Sequence, residues 1–246
     1  MMLSQKNSHP RDSKGKFDEE PHEYYYENEK MKKSVTTLVH DMFPQFNKDK
    51  TAEMLFKRHF DNDKSEYYHM TVDDILQKWE NNKNEACSKG TELHKSIELT
   101  YNNVSVHNQS IEYQYFQDFH NDHDFLIPYR TEWEIYYEEK KIAGSIDMIF
   151  QNPDGSFSIY DWKRCKKIEK SNKFEFGFDE LDHLPNSNFW HYSLQLNIYK
   201  YILSKKYDFM IKDMFLVVFH PNNKKYMKFE CPDLQIEVSS IFDKLS

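Results

Sequence analysis

Apolar positions along the chain change their spacing several times, and each change marks an expected element. Residues 1–33 carry Asp18, Glu19, Glu20, Glu23, Glu27 and Glu29 with almost no aliphatics, a pattern that predicts a disordered acidic tail. The tyrosine triplet Tyr24 to Tyr26 is expected in solvent there. From Ser34 the texture turns apolar, and residues 34–89 read as a helical N-terminal extension. Residues 49–60 have helical spacing, and Thr71 reads as the cap of a helix carrying Ile75, Leu76 and Trp79. A separate helix over 90–101, starting after Gly90, buries Leu93, Ile97 and Tyr101. Period-two texture then predicts strands over 129–137, 141–150 and 157–163. The turn Asn152-Pro153-Asp154-Gly155 joins the last two as a hairpin. A helix over 190–203, an apolar strand over 214–220 and an amphipathic helix over 233–244 complete an α/β order with a mixed sheet.

Composition narrows the class. With 246 residues the chain suits one domain with appendages. No run of 18 apolar residues exists and the first residues lack an apolar h-region, so neither a membrane span nor a secretory signal is expected. Cys87, Cys165 and Cys231 lie far apart and cannot supply a four-thiolate cluster, which excludes that type of iron–sulfur site and points to a reducing, intracellular compartment. The net charge of −8 argues against a polybasic coat protein but leaves room for a locally basic groove.

Chemistry concentrates in the strands. Asp161 and Lys163 are two apart and share one strand face, and the hairpin can bring Asp147 of Gly144-Ser145-Ile146-Asp147 beside them. Two carboxylates about 4 Å apart repel by roughly 4 kcal/mol at an effective dielectric near 20. A hard divalent cation, Mg²⁺ or Mn²⁺, offsets that, and the lysine is left to orient water or meet charge on a phosphate. The plainer reading of Asp-x-Lys is a surface ion pair on an edge strand. His94 and Glu98 lie at i and i+4 on one helix face, and an imidazole ligand favours Mn²⁺; a structural histidine is the plainer alternative. Gln195 and Tyr199 repeat that spacing, either to hold a phosphate or water or as an ordinary helix boundary with the phenol in solvent. Lys163, Arg164, Lys166, Lys167, Lys170 and Lys173 place six basic groups in eleven residues, fit either for phosphates or for plain solvation. Tyr160, Trp162, Phe174 and Phe176 are available to stack unpaired bases, although alternation sends Tyr160 and Trp162 to the core.

Taken in order, Gly90-Thr91-Glu92-Leu93-His94 with Glu98, Glu132, Gly144 to Asp147, Asp161-Trp162-Lys163, and Gln195 to Tyr199 resemble the motifs of the PD-(D/E)XK nuclease superfamily. The likeness is to its histidine-containing, RecB-like branch, which includes the mitochondrial genome-maintenance exonuclease. Stretches such as Asn188 to Gln195 also resemble nucleases encoded by large DNA viruses of protists, for which host cytoplasm or nucleus would be the compartment. The resemblance implies a restriction-endonuclease-like core over 90–246 with a central mixed sheet flanked by helices. It implies a metal-dependent deoxyribonuclease, an exonuclease or single-strand and end-directed enzyme of replication, repair or recombination, acting on DNA; the oligomeric state is not specified by the sequence, a monomer being favoured over the ring-forming trimer of processive exonucleases. His94, Asp147, Asp161 and the Trp162 backbone carbonyl would bind Mg²⁺ or Mn²⁺. Glu132 would reach the metal through water, Lys163 would position or deprotonate the attacking water, and Gln195 and Tyr199 would support the site. Glu98 would fix the His94 tautomer, and the basic residues Arg164 to Lys173 would contact DNA. Two further readings stay open: a cap-snatching RNA endonuclease, and a nucleic-acid-binding module without turnover. A scaffold using residues 18–29 is a third, and the tail is expected to be dispensable for cleavage.

Overall fold

The structure is a computed structural model that describes residues 1–245. The chain divides into two compact units, one of residues 1–44 with the chain from Leu93 onward, the other Gln45–Glu92.

The larger unit is built on a mixed sheet flanked by helices. In chain order it begins with α1 (Leu3–Lys6), β1 (Gly15–Asp18), β2 (Glu23–Tyr26), β3 (Glu29–Lys30), β4 (Lys33–Ser34) and α2 (Val35–Asp41). The smaller unit holds α3 (Lys48–His59) and the first two-thirds of α4 (Val72–Tyr101). The larger unit then continues with α5 (Ile111–Asp122), β5 (Ile127–Tyr137), β6 (Ile142–Gln151), β7 (Phe157–Lys163), α6 (Asn188–Lys206), β8 (Ile211–Val218), β9 (Met227–Glu230) and α7 (Gln235–Lys244).

The main sheet runs β4-β6-β7-β8-β9, with β5 also paired to β6. Antiparallel β5 follows β6 from Ile142 to Gln151. The other edge of β6 is shared: β4 runs parallel to Ile142 and Ala143 at one end, while β7 pairs antiparallel with Met148 to Gln151 at the other. Between those ends, at Gly144 to Asp147, the edge has no strand beside it, and that fork places the site. Strand β8 lies parallel to β7, in register from Ser158 to Lys163, and β9 closes the far edge.

Alternation along β7 sorts its side chains. Tyr160 and Trp162 enter a core with Leu93, Ile97 and Tyr101 of α4 and Phe116 and Phe119 of α5. Ile159 faces the opposite core, under α2, α6 and α7. The two apolar faces thus demand helices on both sides, and the sheet becomes a middle layer.

Three expectations need correction. Residues 1–33 are ordered, not a disordered tail. Glu23 to Tyr26 alternates, so Tyr24 and Tyr26 turn inward and pack with Met31, Tyr136 and Ala143. The β1–β2–β3 sheet also depends on Gly15, where a Cβ would lie 2.3 Å from the Tyr136 ring. Asp12 binds three partners: Arg130 Nη1 at 2.7 Å, Trp133 Nε1 at 2.9 Å and the His9 amide at 2.9 Å. Tyrosine rings and buried ion pairs supply here what aliphatics supply elsewhere. Second, the extension expected over 34–89 splits, because α2 packs on α6 in the larger unit. Third, the two helices expected around Gly90 are one, α4. Gly90 has open space around it and no proline accompanies it, so the helix passes through at a modest cost. At its start Thr71 accepts from the Asp74 amide while Asp74 accepts from the Thr71 amide, a reciprocal box.

Candidate metal centre

The fork in β6 brings four elements to one place. Met148 and Tyr160 are the last ladder pair of β6 with β7, and beyond them the strands part. There the Asp147 carboxylate takes over the ladder, Oδ2 accepting from the Trp162 amide at 2.8 Å. Its second oxygen, Oδ1, is left facing His94, whose Nδ1 lies 3.7 Å away. Glu132 Oε1, from β5, lies 3.7 Å from the same nitrogen. One ligand atom each from His94, Glu132 and Asp147 falls within a 4.8 Å group, the one such cluster of His, Cys and acidic side chains among the described residues.

Local structure explains each placement. His94 sits on α4 just after Leu93, whose neighbours Ile97 and Tyr101 bury the adjoining stripe against the sheet. Its Nε2 donates to the Trp162 carbonyl at 2.9 Å, which fixes the tautomer and turns Nδ1 toward the carboxylates. Glu132 holds φ +44°, a left-handed conformation inside a strand, which a non-glycine residue adopts at about 1–2 kcal/mol. Thr131 pairs with Met148 and Trp133 with Ile146, so the distortion is confined to the one residue that brings its carboxylate to the cluster. Gly144 is needed for packing, since a Cβ there would meet Tyr199 Cε1 at 2.7 Å.

Asp161 and Lys163 form the inner half of the site. Asp161 is 2% exposed. Lys163 Nζ lies 2.7 Å from Asp161 Oδ2, a charge contact without directed hydrogen-bond geometry, and that buried oxygen has no hydrogen-bond partner. The ammonium also sits over the Tyr192 ring, 4.7 Å from its centroid. On the same helix Gln195 Nε2 donates to the Tyr199 hydroxyl at 2.9 Å, and Tyr199 is buried.

The electrostatics are those of a site short of positive charge. Burial lowers the affinity of His94 for a proton, but Asp147 and Glu132 outweigh it and hold the imidazole up at about 9. Burial raises Asp147, with Glu132 adding to the effect and His94 opposing it. Burial likewise raises Asp161, and Asp147 adds to it while Lys163 opposes it. Lys163 is raised because Asp161 and Asp147 overcome its desolvation. Both carboxylates therefore sit where an added cation would relieve them. The donor set fits a divalent ion: two carboxylate oxygens and one imidazole nitrogen, with each oxygen 3.7 Å from the nitrogen, between the cis and trans ligand separations of about 3 and 4 Å that an octahedral ion with about 2.1 Å bonds imposes.

Sequence expectations and geometry differ in several places. His94, Asp147 and Glu132 converge, with Glu132 offering an oxygen as directly as Asp147 does. Asp161 lies outside that group and pairs with Lys163. The Trp162 carbonyl, expected on the metal, receives the His94 proton instead. It thereby takes the role expected of Glu98, whose carboxylate binds Lys95 at 2.8 Å. Tyr199 is enclosed, with its phenol on Gln195 and not in solvent. In the basic run Arg164 is half-buried against Glu112 at 2.7 Å, Lys167 pairs with Glu169, and Lys170 lies over the Phe189 ring at 4.4 Å. Lys166 and Lys173 alone of that run are exposed without an ion pair or ring contact among the described residues. Tyr192 was not anticipated as part of the site. Its signal is the spacing 192, 195, 199, which puts three polar-tipped residues on one face of α6.

No protein-family model matches the chain, and no curated protein matches it. Among solved structures, the crystal structure of SSO0001 is similar at a TM-score of 0.36 and 14% identity, over 87% of this chain and 74% of that one. That likeness is too low to fix a shared fold.

Proposed function

We propose that this protein is a metal-dependent deoxyribonuclease with a PD-(D/E)XK-like arrangement, acting on single-stranded DNA or DNA with free ends. One observation carries the reading: His94, Glu132 and Asp147 gather their ligand atoms within 4.8 Å, beside a buried Asp161–Lys163 pair. That pairing of an oxygen-rich cation cradle with an ammonium suits phosphodiester hydrolysis better than a structural ion site, which has no use for the lysine.

His94 Nδ1, Glu132 Oε1 and Asp147 Oδ1 would hold the ion. Mg²⁺ or Mn²⁺ would supply positive charge opposite the phosphate oxygens. The Trp162 carbonyl holds the Nε2 proton, and the cation would take the place of the Nδ1 proton between the two carboxylates. Asp161 and the Tyr192 ring fix Lys163 Nζ, which would hold the attacking water and meet charge building on the phosphate. Water oxygen would add to phosphorus as the ester bond breaks in line, leaving a phosphate end and a hydroxyl end.

Purified protein with Mn²⁺ or Mg²⁺ is expected to degrade end-labelled linear DNA, and excess chelator is expected to stop it. Asp161→Asn and Lys163→Ala should each lose about a hundredfold or more in rate, read at a temperature where far-UV dichroism shows each variant still folded. A clean preparation of the native protein that leaves linear, circular and single-stranded DNA intact in both metals overturns the assignment.

A further inference from the structure

The segment joining β7 to α6 carries an exposed aromatic row that the metal centre does not use. Phe174, Phe176 and Phe178 are 91%, 41% and 47% exposed, while Gly177 between them is buried against Leu181 and Phe43. The chain bends at Phe174, bridges at Phe176 and is extended at Phe178, with φ −92° and ψ 153°. The stretch is held in place. Asn172 Oδ1 accepts from the Phe174 and Glu175 amides at 3.0 and 3.2 Å, and its Nδ2 donates to the Asn186 carbonyl at 2.9 Å. The Gly177 amide reaches the Leu184 carbonyl and the Phe178 amide the Met42 carbonyl, both at 2.9 Å, and Phe176 bridges to Pro185.

Three large apolar rings held out by a braced backbone need an occupant. Each ring presents a flat apolar face of the kind on which an unpaired base stacks, and none makes a ring contact with the other two among the described residues. Charge agrees with an anionic strand. Lys173 directly precedes Phe174, and Lys166 stands at the start of the same segment, both exposed and free of carboxylate partners among the described residues. Of the nearby acids, Glu180 is paired with Lys244, while Glu175 keeps its charge and accepts from the Asn186 side-chain amide at 3.1 Å. Asp179 and Asp182 follow Phe178 and would mark the far limit of the track.

We propose that Phe174, Phe176 and Phe178, with Lys166 and Lys173, form a stacking platform for unpaired nucleotides that feeds a single strand toward Lys163. This deepens the nuclease reading and rests on it for the choice of nucleic acid as occupant. A paired duplex has no base faces to offer, so the platform selects single strands.

The test is binding of fluorescent oligothymidylate and of a duplex of equal length, in chelator, so that no cleavage intervenes. Phe174→Ala and Phe178→Ala should each weaken oligothymidylate binding about fivefold or more and leave duplex binding unchanged. Phe174→Trp should restore it, which a merely apolar contact would not predict over Phe174→Leu. Lys166→Ala and Lys173→Ala should each reduce the slope of log affinity against log salt by about 0.7. Oligoribonucleotide in a parallel arm reports whether the platform accepts RNA equally, as stacking alone predicts. Native-like oligothymidylate binding by both phenylalanine variants overturns the proposal, as does a dimer in sedimentation that Phe174→Ala abolishes, which would make the row a self-interface. Cleavage assays on the same samples separate the two readings: an intact platform with no turnover faults the nuclease assignment, and turnover with indifferent phenylalanines faults the platform.

Discussion

Lys163 is gripped from two sides, by Asp161 and by the Tyr192 ring. A cation–π contact of this kind contributes about 1–2 kcal/mol when desolvated. Under the proposed function, Tyr192→Ala is therefore expected to slow DNA cleavage about tenfold, and Tyr192→Phe, which keeps the ring, to leave it near native. His191, the preceding residue, supports a pH prediction. Burial lowers it to about 4, His40 adds to the effect, and its Nε2 meets Asn186 Oδ1 at 2.8 Å while its ring packs 4.2 Å from that of Phe43. The unfolded chain would bind the proton near 6.5, so below that pH unfolding takes up a proton that the fold refuses. The stability contributed is complete above about 6.5 and drains away as pH falls toward 4. Melting temperatures across that window should fall less steeply in His191→Gln than in the native protein. At this scale the sequence was informative where spacing alone decides contact. Asp161 with Lys163, and Gln195 with Tyr199, follow from periods of two and four. The left-handed backbone of Glu132 does not, because nothing in Thr-Glu-Trp announces it; the distortion arises where β5 passes the fork in β6.

Two glycines show how elements carry their own constraints. Gly144 lets α6 approach the sheet, and Gly144→Ala would drive a methyl into the Tyr199 ring. A loss of about 1–3 kcal/mol in denaturant unfolding is expected, with the Gln195–Tyr199 pair displaced. Gly90 has no such neighbour, so Gly90→Ala should stabilise α4 by about 0.5–1 kcal/mol in the same measurement. The two outcomes differ in sign although both glycines belong to the same series of motifs. The hairpin of β6 and β7 was readable from its Asn152-Pro153-Asp154-Gly155 turn, which Asp154 secures by accepting from the Ser156 amide at 3.0 Å. Helix α5 and strand β9 were not foreseen. The first is dominated by aromatics and polar residues in place of aliphatics, and the second spans only Met227–Glu230.

For the molecule as a whole, the first 33 residues matter most to revising the sequence reading. Arg130 is 5% exposed, and its carboxylate partner, Asp12, comes from that segment. Asp12→Ala would leave the guanidinium buried with only the Asn7 carbonyl and the Trp133 ring as partners. A loss of about 3 kcal/mol is expected, read as a lowered denaturation midpoint, and removal of residues 1–33 should cost more still. An unaltered midpoint in Asp12→Ala would show that the segment merely rests on β5. The mixed sheet was legible from strand texture, but the pairing of β4 with β6 was not, since a two-residue strand leaves no periodic trace. The shared edge of β6 also has a consequence in time. The side chains around the fork are drawn from position 94 to position 199, with β4 contributed from Lys33 and Ser34, so no single element or hairpin contains them all. During synthesis the fork therefore stays unfinished until α6 has emerged to set Tyr199 against Gly144.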